Sequence, residues 1–97
     1  MKGYSFHPDA VAEFNHAIEY YEGCLDGLGF DFASEVHGTI DRILTHPEAW
    51  TEIENEVRRC LVPRFPYGIL YSIEPNQIFI LAVMNLYKHP DYWKYRS

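Results

Sequence analysis

The sequence predicts an α+β fold in which a short N-terminal strand and a helical hairpin pack on a small, curved and mainly antiparallel sheet. Three observations support this prediction. Apolar residues recur at three- and four-residue steps in the first half of the chain, which is typical of amphipathic helices. The second half contains three β-rich runs separated by prolines or turn sequences. One of them, residues 78–84, is apolar at every position, as expected for a central strand that is buried on both faces.

The first predicted elements are a short strand at residues 3–6 and a helix over residues 8–22. Pro8 suits the first position of a helix, and Asp9 and Glu13 lie where the positive end of the helix dipole favours carboxylates. The apolar stripe of this helix consists of Val11, Phe14, Ala17, Ile18 and Tyr21.

A second helix follows a glycine-rich break. The glycines that end the first helix are Gly23, Gly27 and Gly29. The second stripe stops at His46-Pro47, because a residue that precedes proline is disfavoured in the helical conformation. This stripe consists of Phe32, Ala33, Val36, Ile40, Ile43 and Leu44. Since the connection is short, we expect the two helices to form an antiparallel hairpin.

The rest of the chain is predicted to form a loop, three strands and a tail. Residues 46–56 are expected to be a loop or frayed turn, anchored by Trp50 and Ile53. The predicted strands span residues 57–63, 67–74 and 77–85. The last two strands are expected to pair as a hairpin, because Glu74-Pro75-Asn76-Gln77 is typical of a tight turn. In the tail, Trp93 is expected to pack on the sheet.

Length and composition fit a single globular domain over residues 1–97. Apolar residues make up 47% of the chain and aromatic residues 16%. The longest apolar run is far shorter than the roughly 20 residues that a spanning helix needs, and no apolar leader segment is visible at the N-terminus. We therefore expect a cytoplasmic protein without membrane contact. Cys24 and Cys60 are expected to be free thiols in a reducing compartment, although a disulfide between them stays open.

The charge is distributed unevenly along the chain. Residues 1–56 carry two cations against twelve carboxylates, a net charge of −10, whereas residues 57–97 carry six cations against two carboxylates, a net charge of +4. The total of −6 therefore combines an acidic half with a basic half. This asymmetry favours an acidic or anionic partner for the basic half, and the alternative is an ordinary solvated helix face beside a basic strand edge.

Motifs for metal, phosphate or nucleophile chemistry are missing from the sequence. The five histidines are scattered, and zinc requires three or four converging ligands, so we expect neither a metal nor a small-molecule cofactor. The glycines do not form a phosphate-binding loop, and no Gly-x-Ser-x-Gly motif occurs. Arg58 and Arg59 are consecutive in a predicted strand and must point to opposite faces. If one of them is buried, it requires a carboxylate such as Glu35 or Asp41.

Short motifs follow one another along the whole chain in a specific order. They are Pro8 and Ala10, Tyr20-Tyr21, Gly27-Leu28-Gly29 with Phe32, His46-Pro47, Val57-Arg58-Arg59, Arg64-Phe65-Pro66-Tyr67 with Ile69 and Tyr71, and Pro90-Asp91-Tyr92-Trp93. In this order and spacing the chain resembles the RelE/ParE superfamily of toxins from bacterial toxin–antitoxin pairs, on the ParE-like side. The resemblance implies a curved antiparallel sheet on a helical hairpin, a cytoplasmic location and neutralisation by a cognate antitoxin protein.

The resemblance leaves open which cellular component the chain acts on. ParE-like members inhibit DNA gyrase without established catalytic residues, whereas RelE-like members cut mRNA on the ribosome. A third alternative is a non-toxic remnant that only binds the antitoxin. Where family members often carry His and Arg, this chain has Asn85 and Tyr87, which together with the net charge of −6 favours gyrase and leaves enzyme activity uncertain.

Candidate residues follow from these alternatives. The residues expected to bind the target are Arg58, Arg59, Arg64, Lys88 and Tyr92. If the chain cleaves RNA instead, the cations at the developing charge are expected to be Arg58, Arg64 and Lys88, and the proton-transfer group His89 or Tyr92. A protein contact needs only a few aromatic and arginine anchors, so it tolerates the missing His and Arg better than RNA cleavage does.

Overall fold

A computed structural model describes residues 3–88 and 90–96 of the chain. Its elements are β1 Gly3–Phe6, α1 Pro8–Cys24, α2 Leu28–Thr45, β2 Thr51–Glu54, β3 Val57–Leu61, β4 Tyr67–Ile73 and β5 Gln77–Asn85. The strands form one sheet in the order β1-β5-β4-β3-β2, in which β1 runs parallel to β5 and the other neighbours are antiparallel. The predicted α+β architecture is confirmed. None of the helices in the described ranges is long and apolar enough to cross a membrane.

The prediction of a loop over residues 46–56 was wrong, because residues 51–54 form the edge strand β2. β2 pairs with β3 through a tight turn at Asn55 and Glu56, whose φ angles are 46° and 65°. Two consecutive positive φ angles are those of a type I′ hairpin turn, which normally contains glycine. Since this turn has none, its sequence did not indicate a hairpin. The strands β3 and β4 also end earlier than predicted, at residues 61 and 73.

The helical hairpin depends on two glycines and one carboxylate. Gly27 adopts a φ of 86°, a conformation that favours glycine. Gly29 lies so close to α1 that a Cβ atom there would be 2.6 Å from the Ile18 carbonyl oxygen. Glu22 accepts hydrogen bonds from the backbone N–H groups of Gly27 and Gly29 at 2.9 and 3.0 Å. A side chain of α1 therefore caps the start of α2 and fixes the angle between the helices.

The face of the sheet that α1 and α2 cover, here called the helix face, holds the larger core. Phe32 is fully buried at its centre, and its ring lies 4.9–6.1 Å from the rings of Phe14, Tyr21, Phe65 and Tyr67. Most residues of the two predicted stripes belong to this core, but Val11 and Ala33 do not. Val11 is 42% exposed, and the neighbouring Ala10 is fully buried in its place. The small Ala10 side chain lets α1 approach the sheet closely.

The opposite face of the sheet is covered by the C-terminal segment, residues 90–96, here called the strap. Trp93 is 4% exposed and packs against a cluster that includes Val57, Leu70 and Leu81, which confirms the prediction for this residue. The apolar run of β5 divides its side chains between this cluster and the helix face, so the prediction of a strand buried on both faces is also confirmed.

Both cysteines are free thiols, as expected. Cys24 is exposed at the end of α1, whereas Cys60 is buried under the helices. Burial raises the pKa of the Cys60 thiol, and nearby Arg42 partly offsets this effect. Cys60 is therefore a core residue and not an activated nucleophile.

Candidate functional site

A groove of about 570 Å³ lies between α1 and the C-terminal end of β5. One wall is formed by successive turns of α1, and the other by the end of β5 and the residues that follow it. The lining residues include Glu13, His16, Tyr20, Val83, Tyr87 and Tyr92. The α1 wall extends from residue 12 to residue 21, which at about 1.5 Å per residue makes the groove about 13 Å long.

Aromatic side chains form the rim of this groove. Tyr20 is 64% exposed and Tyr87 is 85% exposed, although both carry large apolar rings. Lys88 lies with its ammonium nitrogen 5.4 Å from the centre of the Tyr92 ring. Burial, together with nearby Glu13, raises the pKa of the Tyr92 hydroxyl, so Tyr92 stays protonated at neutral pH. The rim therefore offers neutral aromatic surface with one cation, which is suited to a protein contact.

A buried ion pair joins the groove to the strap. Arg96 donates two hydrogen bonds to the Glu13 carboxylate, at 2.9 and 3.0 Å. The Arg96 side chain is 5% exposed and that of Glu13 is 15% exposed. Burial alone would lower the pKa of Arg96, but the hydrogen bonds to Glu13 and Tyr95 reverse this effect and raise it. Arg96 therefore remains charged and ties the strap to α1.

This pair also binds two backbone groups at the free edge of β5. β1 pairs with β5 only up to Ile80, and a bulge at Leu81 interrupts the pairing with β4. The Leu81 carbonyl accepts a hydrogen bond from Arg96 at 3.1 Å, and the Val83 N–H donates to Glu13 at 3.0 Å. These two backbone groups of the β5 edge are therefore already satisfied by side chains of the same chain.

Arg58 and Arg59 point to opposite faces, as predicted. Arg58 pairs in register with Tyr71 on the helix face, whereas Arg59 pairs with Leu70 on the strap face. Arg58 donates hydrogen bonds to the carbonyl oxygens of Glu48 and Trp50, and it forms a 3.8 Å ion pair with Glu52. Arg58 thus holds the segment before β2 against the sheet.

Arg64 lies in the turn between β3 and β4, with a φ of 71°. It pairs with Glu35 at 3.2 Å and with Asp31 at 3.6 Å, both on α2. Glu35 was expected as the partner of a buried Arg58 or Arg59, but it pairs with Arg64 instead, because the turn carries Arg64 towards α2. Asp41 forms no ion pair with these arginines within the described ranges.

The predicted target-binding residues therefore occupy four separate places. Lys88 and Tyr92 meet at the groove, Arg58 faces the loop before β2, Arg59 lies on the strap face, and Arg64 contacts α2. His89 falls outside the described residues. A role for each of these residues in target binding stays a prediction.

Sequence reasoning missed the pairing of Glu13 with Arg96 beside the groove. Glu13 was assigned to the helix dipole, and Arg96 was counted only as part of the basic tail. One signal was available, because Ala10, Glu13 and Ala17 follow the spacing of one helix face and both alanines are buried. The partner of Glu13 is 83 residues away, and no local pattern indicates it.

Comparison with known proteins identifies the family. A family model described as the ParE toxin of type II toxin–antitoxin systems, parDE, matches residues 4–85. A solved structure of the chromosomal ParDE toxin–antitoxin system from P. aeruginosa is similar in fold, with a TM-score of 0.74 and 14% sequence identity, over 89% of this chain and 97% of that chain. No curated protein sequence gives a significant match. Since the family model covers most of the chain, this protein belongs to the ParE toxin family of type II toxin–antitoxin systems.

Proposed function

We propose that this chain is a cytoplasmic toxin that inhibits DNA gyrase by protein–protein contact and is neutralised by a cognate antitoxin. Membership of the ParE family implies an antitoxin partner. The observation that carries the choice of gyrase is the separation of the cations. Arg58 and Arg64, which RNA cleavage would need beside Lys88, are each engaged by carboxylates at other places. Cleavage of a phosphodiester needs converging cations and proton-transfer groups, whereas a protein contact does not.

The groove is the proposed binding site for an antitoxin segment. Its rim exposes Tyr20 and Tyr87, and its interior is lined by Ala17 and Val83. Exposed aromatic surface of this kind is stabilised when a partner covers it. The antitoxin segment makes side-chain contacts with this aromatic and apolar lining, and it orders on binding if it is disordered when free.

Two assays test the target. Purified chain should inhibit supercoiling by gyrase and should leave mRNA on translating ribosomes intact. Codon-dependent cuts in mRNA without any effect on supercoiling would overturn the proposal in favour of the RelE-like alternative. The adjacency of Lys88 and Tyr92 is the observation that favours this alternative. If folded protein affects neither supercoiling nor mRNA, the result would indicate the non-toxic, antitoxin-binding alternative.

A third experiment tests the antitoxin site. A Tyr20→Ser, Tyr87→Ser double variant should lose affinity for the antitoxin produced from the same operon, since about 1–3 kcal/mol is lost when an aromatic anchor at an interface is removed. A Tyr4→Ser variant is the matched control, because Tyr4 is also a partly exposed tyrosine but lies on β1 outside the groove. Equal affinity of the double variant and the control would exclude the groove as the antitoxin site.

A further inference from the structure

The basic side chains of this protein differ in whether they have a carboxylate partner. Four of them are paired within the chain, namely Arg58, Arg64, Lys94 and Arg96. Of the remaining cations in the described ranges, Arg42 donates to the Thr39 hydroxyl and Lys88 lies over Tyr92. Arg59 is different, because its guanidinium has neither an ion pair nor a hydrogen bond to the described residues.

Arg59 is nevertheless held in a defined position. Its Cγ and Cδ atoms lie 3.1 and 3.2 Å from the point where a Cβ atom at Gly68 would be, so its aliphatic stem rests on the glycine. Leu86 borders the same point at 3.5 Å, and Leu61 pairs in register with Gly68. Arg59, Leu61, Gly68 and Leu86 are here called the Arg59 patch.

The Arg59 patch combines a half-buried cation with exposed apolar surface. Leu61 is 55% exposed and lies opposite Gly68 in register, and Leu86 is 38% exposed and borders the position of a Gly68 Cβ atom. The strap covers the other end of this sheet face and leaves this corner open. An arginine that is fixed by packing loses little conformational entropy when it binds, and arginine is enriched among the residues that dominate binding energy.

The chemistry of the patch indicates a protein partner and not a nucleic acid. A guanidinium without a partner is complemented by a carboxylate, and two flanking leucines are complemented by an apolar side chain. A phosphate backbone offers no apolar group for the leucines, and a net charge of −6 opposes approach to a polyanion. The patch is also small, which suits a transient contact better than a tight, neutralising one.

We propose that the Arg59 patch is the surface through which this chain engages its target protein. A segment of the target places a carboxylate on Arg59 and packs a neighbouring apolar side chain on Leu61 and Leu86. This inference rests on the proposed function, since it takes the chain to act by protein contact. The patch shares no residue with the groove, so target binding and antitoxin binding use different residues.

Growth arrest on induced expression of the full chain tests this surface without assuming which protein is the target. Arg59→Ala should raise the inducer level needed for half-maximal arrest about tenfold, whereas its affinity for the operon's antitoxin should stay within about twofold. Arg59→Lys should restore part of the arrest, because the charge is kept but the planar fork is lost. Gly68→Ala should also raise the inducer level needed for half-maximal arrest, since its Cβ would displace the Arg59 stem. Arg42→Ala is the matched control and should arrest growth like the unmodified chain, because Arg42 is an exposed arginine on α2 without an ion pair within the described ranges.

Several results would overturn the inference. Arg59→Ala that is folded by circular dichroism and still arrests growth fully would remove the patch from target binding. Loss of antitoxin affinity with full arrest would assign the patch to the antitoxin. Ribosome-dependent mRNA cleavage that disappears in Arg59→Ala would assign it to RNA.

If the unmodified chain arrests growth without affecting gyrase or mRNA, and Arg59→Ala does not arrest growth, the gyrase proposal fails but the patch stands. If the unmodified, folded chain does not arrest growth at all, both proposals fail.

Discussion

The two faces of the sheet are covered by different physical means. The helix face is closed by α1 and α2, and its core contains fully buried rings and aliphatic chains, with Phe32 at the centre. The strap face is closed by residues 90–96, whose most buried apolar side chain is Trp93. The strap is instead held largely by polar contacts. Arg96 pairs with Glu13, Lys94 pairs with Glu54, and the Tyr95 hydroxyl donates to Asp9 at 2.7 Å.

This difference predicts different stability for the two faces. Burial of apolar volume depends little on salt, whereas ion pairs that reach the surface are screened by it. The helix face should therefore unfold only with the whole domain, and the strap should open before it. Since Glu13 lines the groove and is paired with Arg96 of the strap, opening of the strap would change the candidate antitoxin site.

The largest expected effect is on the helix face. Phe32→Ala should lower the free energy of unfolding by about 3–5 kcal/mol, because it leaves a cavity among four other aromatic rings. Urea denaturation followed by circular dichroism measures this loss. Phe30→Ala is the matched control, because Phe30 lies on the same helix but is 73% exposed, and it should change stability by less than about 0.5 kcal/mol. Equal losses for the two variants would contradict the assignment of the core.

Loss of the Glu13–Arg96 pair that holds the strap should destabilise the protein less than loss of Phe32. Arg96→Ala should cost about 2–3 kcal/mol, below the usual 3–5 for breaking a buried pair, because an opened strap lets water reach the Glu13 carboxylate. Hydrogen exchange should show faster exchange in residues 90–96 than in β4. Lys94→Ala is the control, and it should have little effect because its ion pairs are exposed to solvent. Uniform acceleration of exchange in both regions would show that the strap is part of the same cooperative unit as the helix face.

The contrast between the faces explains what the sequence could predict. The helix face is built from stripes with a 3.6-residue period, and these indicated the two helices and most of the core directly. The strap face depends on contacts between distant residues. The Glu13–Arg96 pair spans 83 positions, and the bulge at Leu81 that it stabilises has no glycine to indicate it. The edge strand β2 was missed for a related reason, since its turn at Asn55 and Glu56 lacks the usual glycine.

The candidate site could be predicted only in part for the same physical reason. Lys88 and Tyr92 are close in sequence and lie together in the structure, as their clustering indicated. Arg58 and Arg64 were grouped with them by charge alone, but their positions are set by Trp50 and Glu35, which belong to other elements. Net charge along a sequence therefore indicates that cations are available, but not which of them already have partners.

A tyrosine on the helix face offers a test at intermediate magnitude. Tyr71 is fully buried and donates a hydrogen bond to the Pro47 carbonyl at 2.6 Å. Tyr71→Phe should cost about 0.5–1.5 kcal/mol at pH 8, the usual net value of one intramolecular hydrogen bond. Burial raises the pKa of Tyr71 from 10 to about 12.

The raised pKa of Tyr71 also predicts how the stability of the fold changes with pH. The folded state favours the neutral hydroxyl, so this contribution to stability is complete below pH 10 and is lost as pH rises from 10 to about 12. The advantage of the unmodified chain over Tyr71→Phe should therefore shrink between pH 8 and pH 11 in urea denaturation. An advantage that grows with pH would mean that the hydroxyl ionises more easily in the folded state.

The smallest effect is expected at Arg64, whose side chain is 57% exposed despite two carboxylate partners on α2. Arg64→Ala should change the free energy of unfolding by less than about 1 kcal/mol, since exposed pairs contribute little. Arg64→Gly should be no less stable than Arg64→Ala, because glycine tolerates the φ of 71° at this position better than alanine does. Thermal denaturation of both variants in low and high salt separates the contribution of the ion pairs from that of the backbone strain. Salt screens the ion pairs but leaves the strain unchanged. If Arg64→Ala lowered the free energy of unfolding as much as Arg96→Ala, the contrast between exposed and buried ion pairs would be contradicted. Exposure would then not decide the strength of an ion pair in this protein.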